Sequence, residues 1–135
     1  MPAVNKVSLS LFFLRISVFL VFFMWTIDKF INPSHAAVVW EHFYFIKGME
    51  TTAIYIVGAV QLVILLGFVL GVKKKICTLL ILFMHTVSTL SSYQQYFNPW
   101  EGPNLLFFAA WPMLAACFAV YYLRESDNLW SLNIR

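Results

Sequence analysis

Apolar residues dominate four long runs of this chain, and each run is bounded by a short polar break instead of being diluted by the regular polar face of a soluble helix. The first run covers residues 7–27 and is rich in Phe and Leu. At a rise of about 1.5 Å per residue it measures about 31 Å, matching a hydrocarbon core about 30 Å thick. Asp28 and Lys29 close it, and further runs follow at 51–72, 76–97 and 104–123. The pattern predicts an all-α membrane protein in which residues 1–135 form a single domain, a four-transmembrane-helix bundle.

The breaks carry their own signals. Asn32-Pro33 reads as a helix start, with Asn accepting a backbone hydrogen bond and Pro at the first helical position, and Gly48 reads as the stop. The segment between, about 33–47, is too short to span and is dominated by Trp40, Phe43, Tyr44 and Phe45, so a short interfacial helix is expected between spans 1 and 2. Thr51 or Thr52 is expected to cap the second span. The third run starts aliphatic and turns polar through His85, Thr86, Ser88, Thr89, Ser91, Ser92, Gln94 and Gln95, a half-span that should face away from lipid. Residues 98–103, with two prolines and a glycine, form a turn, and Trp111-Pro112 predicts a kink in the fourth span that frees a carbonyl.

Composition agrees with the pattern. With 61% hydrophobic and 11% charged residues, too little polar side chain is present to coat a soluble fold. Lys6, Lys73, Lys74, Lys75, Arg124 and Arg135 fall on one side of the predicted spans and Lys29 and Lys47 on the other, which places both termini in the cytoplasm of a bacterial inner membrane. The same placement accounts for the net charge of +3 without invoking nucleic acid. The N-terminal run exceeds the roughly 7–15 residues of a signal-peptide core and contains Arg15, so it is expected to remain as the first span. Cys77 and Cys117 lie inside apolar runs with no Cys-x-x-Cys pairing, as packing residues do.

Few residues offer chemistry. Arg15 is the most costly, since a central Arg disfavours insertion by about 2.5–3.5 kcal/mol; it either snorkels to the cytoplasmic headgroups or finds a partner. Gln61 and His85 fall near mid-span on antiparallel helices, so Arg15, Gln61 and His85 are expected to form a buried polar cluster, the alternative being a neutral imidazole hydrogen-bonded within the bundle. Helical spacing from His85 adds Thr89 and Ser92. With Asp28, Lys29, Glu50 and Gln95 at the mouth, and Trp25, Tyr55 and Trp111 as walls, these residues predict an outward-facing polar cavity able to take a quinone headgroup; a ligand-free helix interface is the alternative. Gly67 and Gly71 have the small-xxx-small spacing of a helix-packing face, within the chain or between copies. His35 and His42, about 10 Å apart along a helix, cannot grip one ion together, so no metal is assigned.

Arg15 early in a Phe-rich first span, Asp28-Lys29 at its end, Gly58-Ala59-Val60-Gln61 in the second, Met84-His85 in the third and the closing Trp130-Ser131-Leu132-Asn133 together resemble the DoxX-like family of small four-span membrane proteins. Two positions depart from that pattern: Trp25-Thr26-Ile27-Asp28 stands where the family has glycine before the lysine, and Gln61 stands where it has an acidic residue. The resemblance implies association with thiosulfate:quinone oxidoreductase subunits or membrane partners of redox enzymes. The neutral Gln61 argues against a proton-coupled role.

The preferred reading is an accessory or anchoring subunit of a redox or quinone-linked membrane assembly, not catalytic by itself, embedded in lipid and joined to protein partners or to copies of itself. A small-molecule transporter and a purely structural subunit of a larger membrane complex are the alternatives.

Overall fold

In the computed structural model, which describes residues 4–135, all regular secondary structure is helical. Helix α1 spans Lys6–Ile31, α2 Pro33–Tyr44, α3 Thr51–Leu70, α4 Lys74–Ser91, α5 Tyr93–Phe97 and α6 Ala110–Tyr122, with 3-10 turns at Asn104–Ala109 and Arg124–Ser126. Three segments are long and apolar enough to cross a membrane: Lys6–Ile31, Thr51–Leu70 and Asn104–Tyr122. The polar half of α4 sets that helix apart.

The four long helices pack in a ring. The backbones of α1 and α4 each lie close to those of α3 and α6, while the diagonal pair α1 and α4 meets through side chains, Phe22 and Trp25 against His85. The apolar core is built from Leu11, Val18 and Phe22 of α1, Leu65 and Phe68 near the end of α3, Ile81 in the first half of α4, and Cys117 and Val120 towards the end of α6. It therefore fills the end of the ring that carries the α3–α4 hairpin. α2 folds across the opposite end against α1, α3 and α4. Large apolar side chains on the outer faces are exposed, among them Phe13, Leu20, Val63, Phe83 and Phe118. Contiguous apolar exposure of this kind is expected where lipid replaces water.

Several local expectations are revised. α1 does not close at Asp28 but runs on to Ile31, where Pro33 prevents further winding. Its 26 residues measure about 39 Å, longer than a hydrocarbon core, so Arg15 need not sit at mid-depth. Asn32 does not cap α2 with its side chain; its Oδ1 accepts from Ser34 Oγ at 3.0 Å. α2 ends before Gly48, at Phe45, which takes the left-handed conformation (φ 58°). Glu50, not a threonine, is the N-cap residue of α3, and no side-chain cap forms there.

The third run is broken at Ser92. Thr86, Thr89 and Ser92 hydroxyls donate to carbonyls four residues back and Ser91 to the carbonyl three back, and such back-bonding competes with the helical ladder. Ahead of Pro112 the fourth run winds as a 3-10 turn and becomes α-helical only at Ala110.

Candidate functional site

The polar residues of the bundle divide into two groups, one at each end. Opposite the packed core lies a cavity of about 1620 Å³, lined by α1, α2, α3, α4 and the Asn104–Tyr122 segment. Most of its wall is apolar. His85, Gln61, Ser88, Ser91, Ser92 and Lys29 supply polar groups.

His85 is the best-defined of these. Only 1% of its surface is exposed, and its Nε2 donates to the Ala110 carbonyl at 2.9 Å. That carbonyl belongs to the first residue of α6, at the change from 3-10 to α winding; the carbonyl that Pro112 leaves without its helical amide partner is that of Phe108, four residues back. A carbonyl can only accept, so Nε2 carries the ring proton, and Nδ1 is buried without a hydrogen-bond partner. Trp25 stacks against the imidazole at 6.3 Å between ring centroids, and Phe22 meets it edge-on at 6.1 Å.

Gln61 sits on the facing wall, its amide nitrogen 4.0 Å from Met84 Sδ. Lys29, one turn outward from Trp25 on α1, is 9% exposed and donates to the Trp25 carbonyl at 3.3 Å. At the mouth Asp28 Oδ2 is 2.6 Å from His35 Nδ1. Ile56 and Val60 of α3 and Phe83 and Leu90 of α4 line the cavity and are at the same time more than half exposed on the outer surface of the ring. Between α3 and α4 the cavity therefore opens sideways, towards the surface that lipid would cover.

The second group lies at the hairpin end, where the chain after α6 folds back beneath the ring. Asp127 Oδ2 is 3.5 Å from Arg15 Nε, with both side chains almost fully buried. Arg15 Nη2 donates to the Leu129 carbonyl at 2.5 Å and more weakly to that of Trp130. Lys74 Nζ donates to the Asp127 carbonyl and to Asn133 Oδ1. The backbone completes the closure: Leu132 N–H donates to Leu70 O at 2.8 Å and Lys73 N–H to Ile134 O at 2.7 Å. Burial pushes the Asp127 carboxyl above the usual carboxylate range, and Arg15 followed by Lys74 pull it back down.

The expected cluster of Arg15, Gln61 and His85 is thus divided. Gln61 and His85 share the cavity, whereas Arg15 is held by the tail at the other end. Ser92, Asp28 and Lys29 line the cavity; Thr89 is buried and donates to the His85 carbonyl, and Gln95 and Glu50 lie outside the lining. Of the expected aromatic walls Trp25 is present, while Tyr55 stacks on Phe30 and Trp111 lies against Tyr96 and a separate groove. Gly67 and Gly71 serve contacts within the chain: a Cβ on Gly67 would lie 2.7 Å from Cys77 Sγ, and one on Gly71 1.9 Å from Ser131 Oγ.

Sequence reasoning missed Asp127 and Lys74. The visible signal was a buriable carboxylate just beyond the last span, on the same side as Arg15. Among the described residues, no three His, Cys, Asp or Glu side chains converge as a metal site would require. Comparison of the chain with family models, curated proteins and solved structures finds no match.

Proposed function

We propose that the chain is a four-span protein of a bacterial inner membrane, with both termini cytoplasmic, that draws a lipid-soluble, ring-headed molecule of the quinone–hydroquinone class into the cavity. In this reading it is the accessory subunit of a redox assembly, and a protein partner performs the electron transfer. α4 serves as the remaining span, its polar face turned to the cavity.

The observation that carries the proposal is the sideways opening between α3 and α4. Apolar side chains rim it, and Trp25, backed by the buried imidazole of His85, stands in its wall. A water-soluble solute would need an aqueous route from both sides, as in alternating access. A lipid-soluble molecule instead needs an apolar portal, a flat aromatic surface for its ring and a few polar groups to orient it. The volume exceeds the roughly 300–1,000 Å³ of ordinary ligand pockets, leaving space for a headgroup and the first part of an isoprenoid tail. The resemblance to the DoxX-like family points in the same direction.

Purification in mild detergent, solvent extraction and mass spectrometry of the extract test the proposal. Native protein should retain a quinone or hydroquinone. Val60→Trp, which blocks the portal at an exposed position, should lose it while the protein remains folded. Retention of no such molecule by protein carrying its native lipid, or equal retention by Val60→Trp, would overturn the assignment.

A further inference from the structure

On the reading that the cavity binds a ring-headed molecule of the quinone class, we infer that the ring it prefers carries an ionised oxygen, as a hydroxyquinone does, and that Lys29 and Gln61 hold that oxygen. Lys29 lies on the inward stripe of α1, in line with Phe22 and Thr26, and it forms part of the cavity wall while only 9% exposed. Its ammonium has one partner, the Trp25 carbonyl of its own helix, at 3.3 Å. Asp28 is next to it in sequence, but that carboxylate is taken by His35 Nδ1 at 2.6 Å, and no ion pair to Lys29 forms among the described residues. Arg15, the other buried cation of α1, has Asp127. A cation placed this deep without a carboxylate lacks the partner that ordinarily offsets its desolvation. An anionic ligand supplies it.

Packing brings a second donor to the first. Gly58 is where α3 meets Lys29: a Cβ there would lie 3.4 Å from Lys29 Cβ. From that point the lysine side chain leads back one turn along α1, to the Trp25 carbonyl, and Gln61 follows Gly58 by about one turn on α3. The two helices run in opposite directions, so both steps lead the same way, inward from the mouth, and ammonium and amide reach a similar depth on adjoining helices. The Gln61 amide nitrogen meets a weak acceptor, Met84 Sδ, at 4.0 Å, so it has an N–H to give. A neutral quinone oxygen can accept from both groups. An ionised ring oxygen does so through charge-assisted bonds and compensates the ammonium as well.

The test compares two probes on the full chain in nanodiscs of zwitterionic lipid at mildly alkaline pH. One is an octyl-substituted hydroxynaphthoquinone, whose ring hydroxyl is acidic and ionised there. The other is the methyl ether of that hydroxyl, which keeps the ring and the tail but cannot ionise. Each is quantified by chromatography as the amount retained above that in empty nanodiscs. Charge-assisted hydrogen bonds are about twice as strong as neutral ones, so the native chain should bind the hydroxyl probe about tenfold more tightly than the ether. Lys29→Met should erase that difference and still retain the ether. Gln61→Glu, which provides a carboxylate from within the chain, should also lose the preference and spare the ether, whose retention shows that both variants are folded.

Equal or weaker binding of the hydroxyl probe by the native chain overturns the inference without any variant being needed. So does a preference that survives Lys29→Met or Gln61→Glu at full size. These results leave the ring-binding cavity standing. Retention of neither probe by the native chain overturns both the anion preference and the cavity reading beneath it.

Discussion

Arg15 has a 1% exposed side chain whose Nε faces Asp127 at 3.5 Å and whose Nη2 is held by the Leu129 carbonyl, while Nη1 is buried without a hydrogen-bond partner. Removing one partner of such a buried pair leaves the other charge stranded, at a cost of about 3–5 kcal/mol. Arg15→Leu and Asp127→Leu are each expected to lower the unfolding midpoint sharply. The double variant should cost clearly less than the two singles together. Additive losses in a double-mutant cycle, measured by denaturation in mixed micelles, would show that the two side chains do not act as a pair. His85 presents a contrasting case. It makes one bond, to a main-chain oxygen, and its other nitrogen is buried without a partner between Trp25 and Phe22.

At the scale of elements, the α3–α4 hairpin depends on two glycines for different reasons. Gly71 closes α3 in the left-handed conformation (φ 76°) and lies against Ser131 of the tail, so a side chain there meets both backbone strain and a collision. Gly67 has ordinary helical geometry, and only the nearness of Cys77 Sγ restricts it. Gly67→Ala should therefore destabilise by about 1–3 kcal/mol through overpacking, and Cys77→Ala should restore most of that loss by removing the sulfur. If Cys77→Ala gives no rescue in thermal unfolding, the two helices do not meet at this point. The sequence showed the small-residue spacing but left open whether the contact lay within one chain or between two. Only the return of the chain after α6 and the closeness of α4 decide it, because neither is encoded within the run that contains the glycines.

The whole molecule has a closed end and an open end. Core packing and the tail close the side bearing Lys73–Lys75, and the cavity occupies the side covered by α2. On the proposed topology, a cysteine at the exposed Lys75 should react with an impermeant reagent only in inverted vesicles, and one at the exposed Glu101 only in right-side-out cells, in a background with Cys77 and Cys117 replaced by Ala. Labelling of both from the same face would contradict the proposed orientation. The membrane-like character of the chain was legible without coordinates, because hydrophobicity accumulates along contiguous runs and each run reports its own length. The break before Pro33 was legible too, since proline acts on its immediate neighbours. Which polar residues share a site was not. Arg15 and Gln61 looked like neighbours when depth was counted from the start of an apolar run, yet α1 is longer than a bilayer core and Arg15 belongs with a tail that lies more than a hundred positions further on. Local patterns therefore determined the helices and their apolar surfaces; the pairing of Arg15 with Asp127, and the choice of which His85 nitrogen carries the proton, required the tertiary structure, because each depends on a partner supplied by a distant part of the chain.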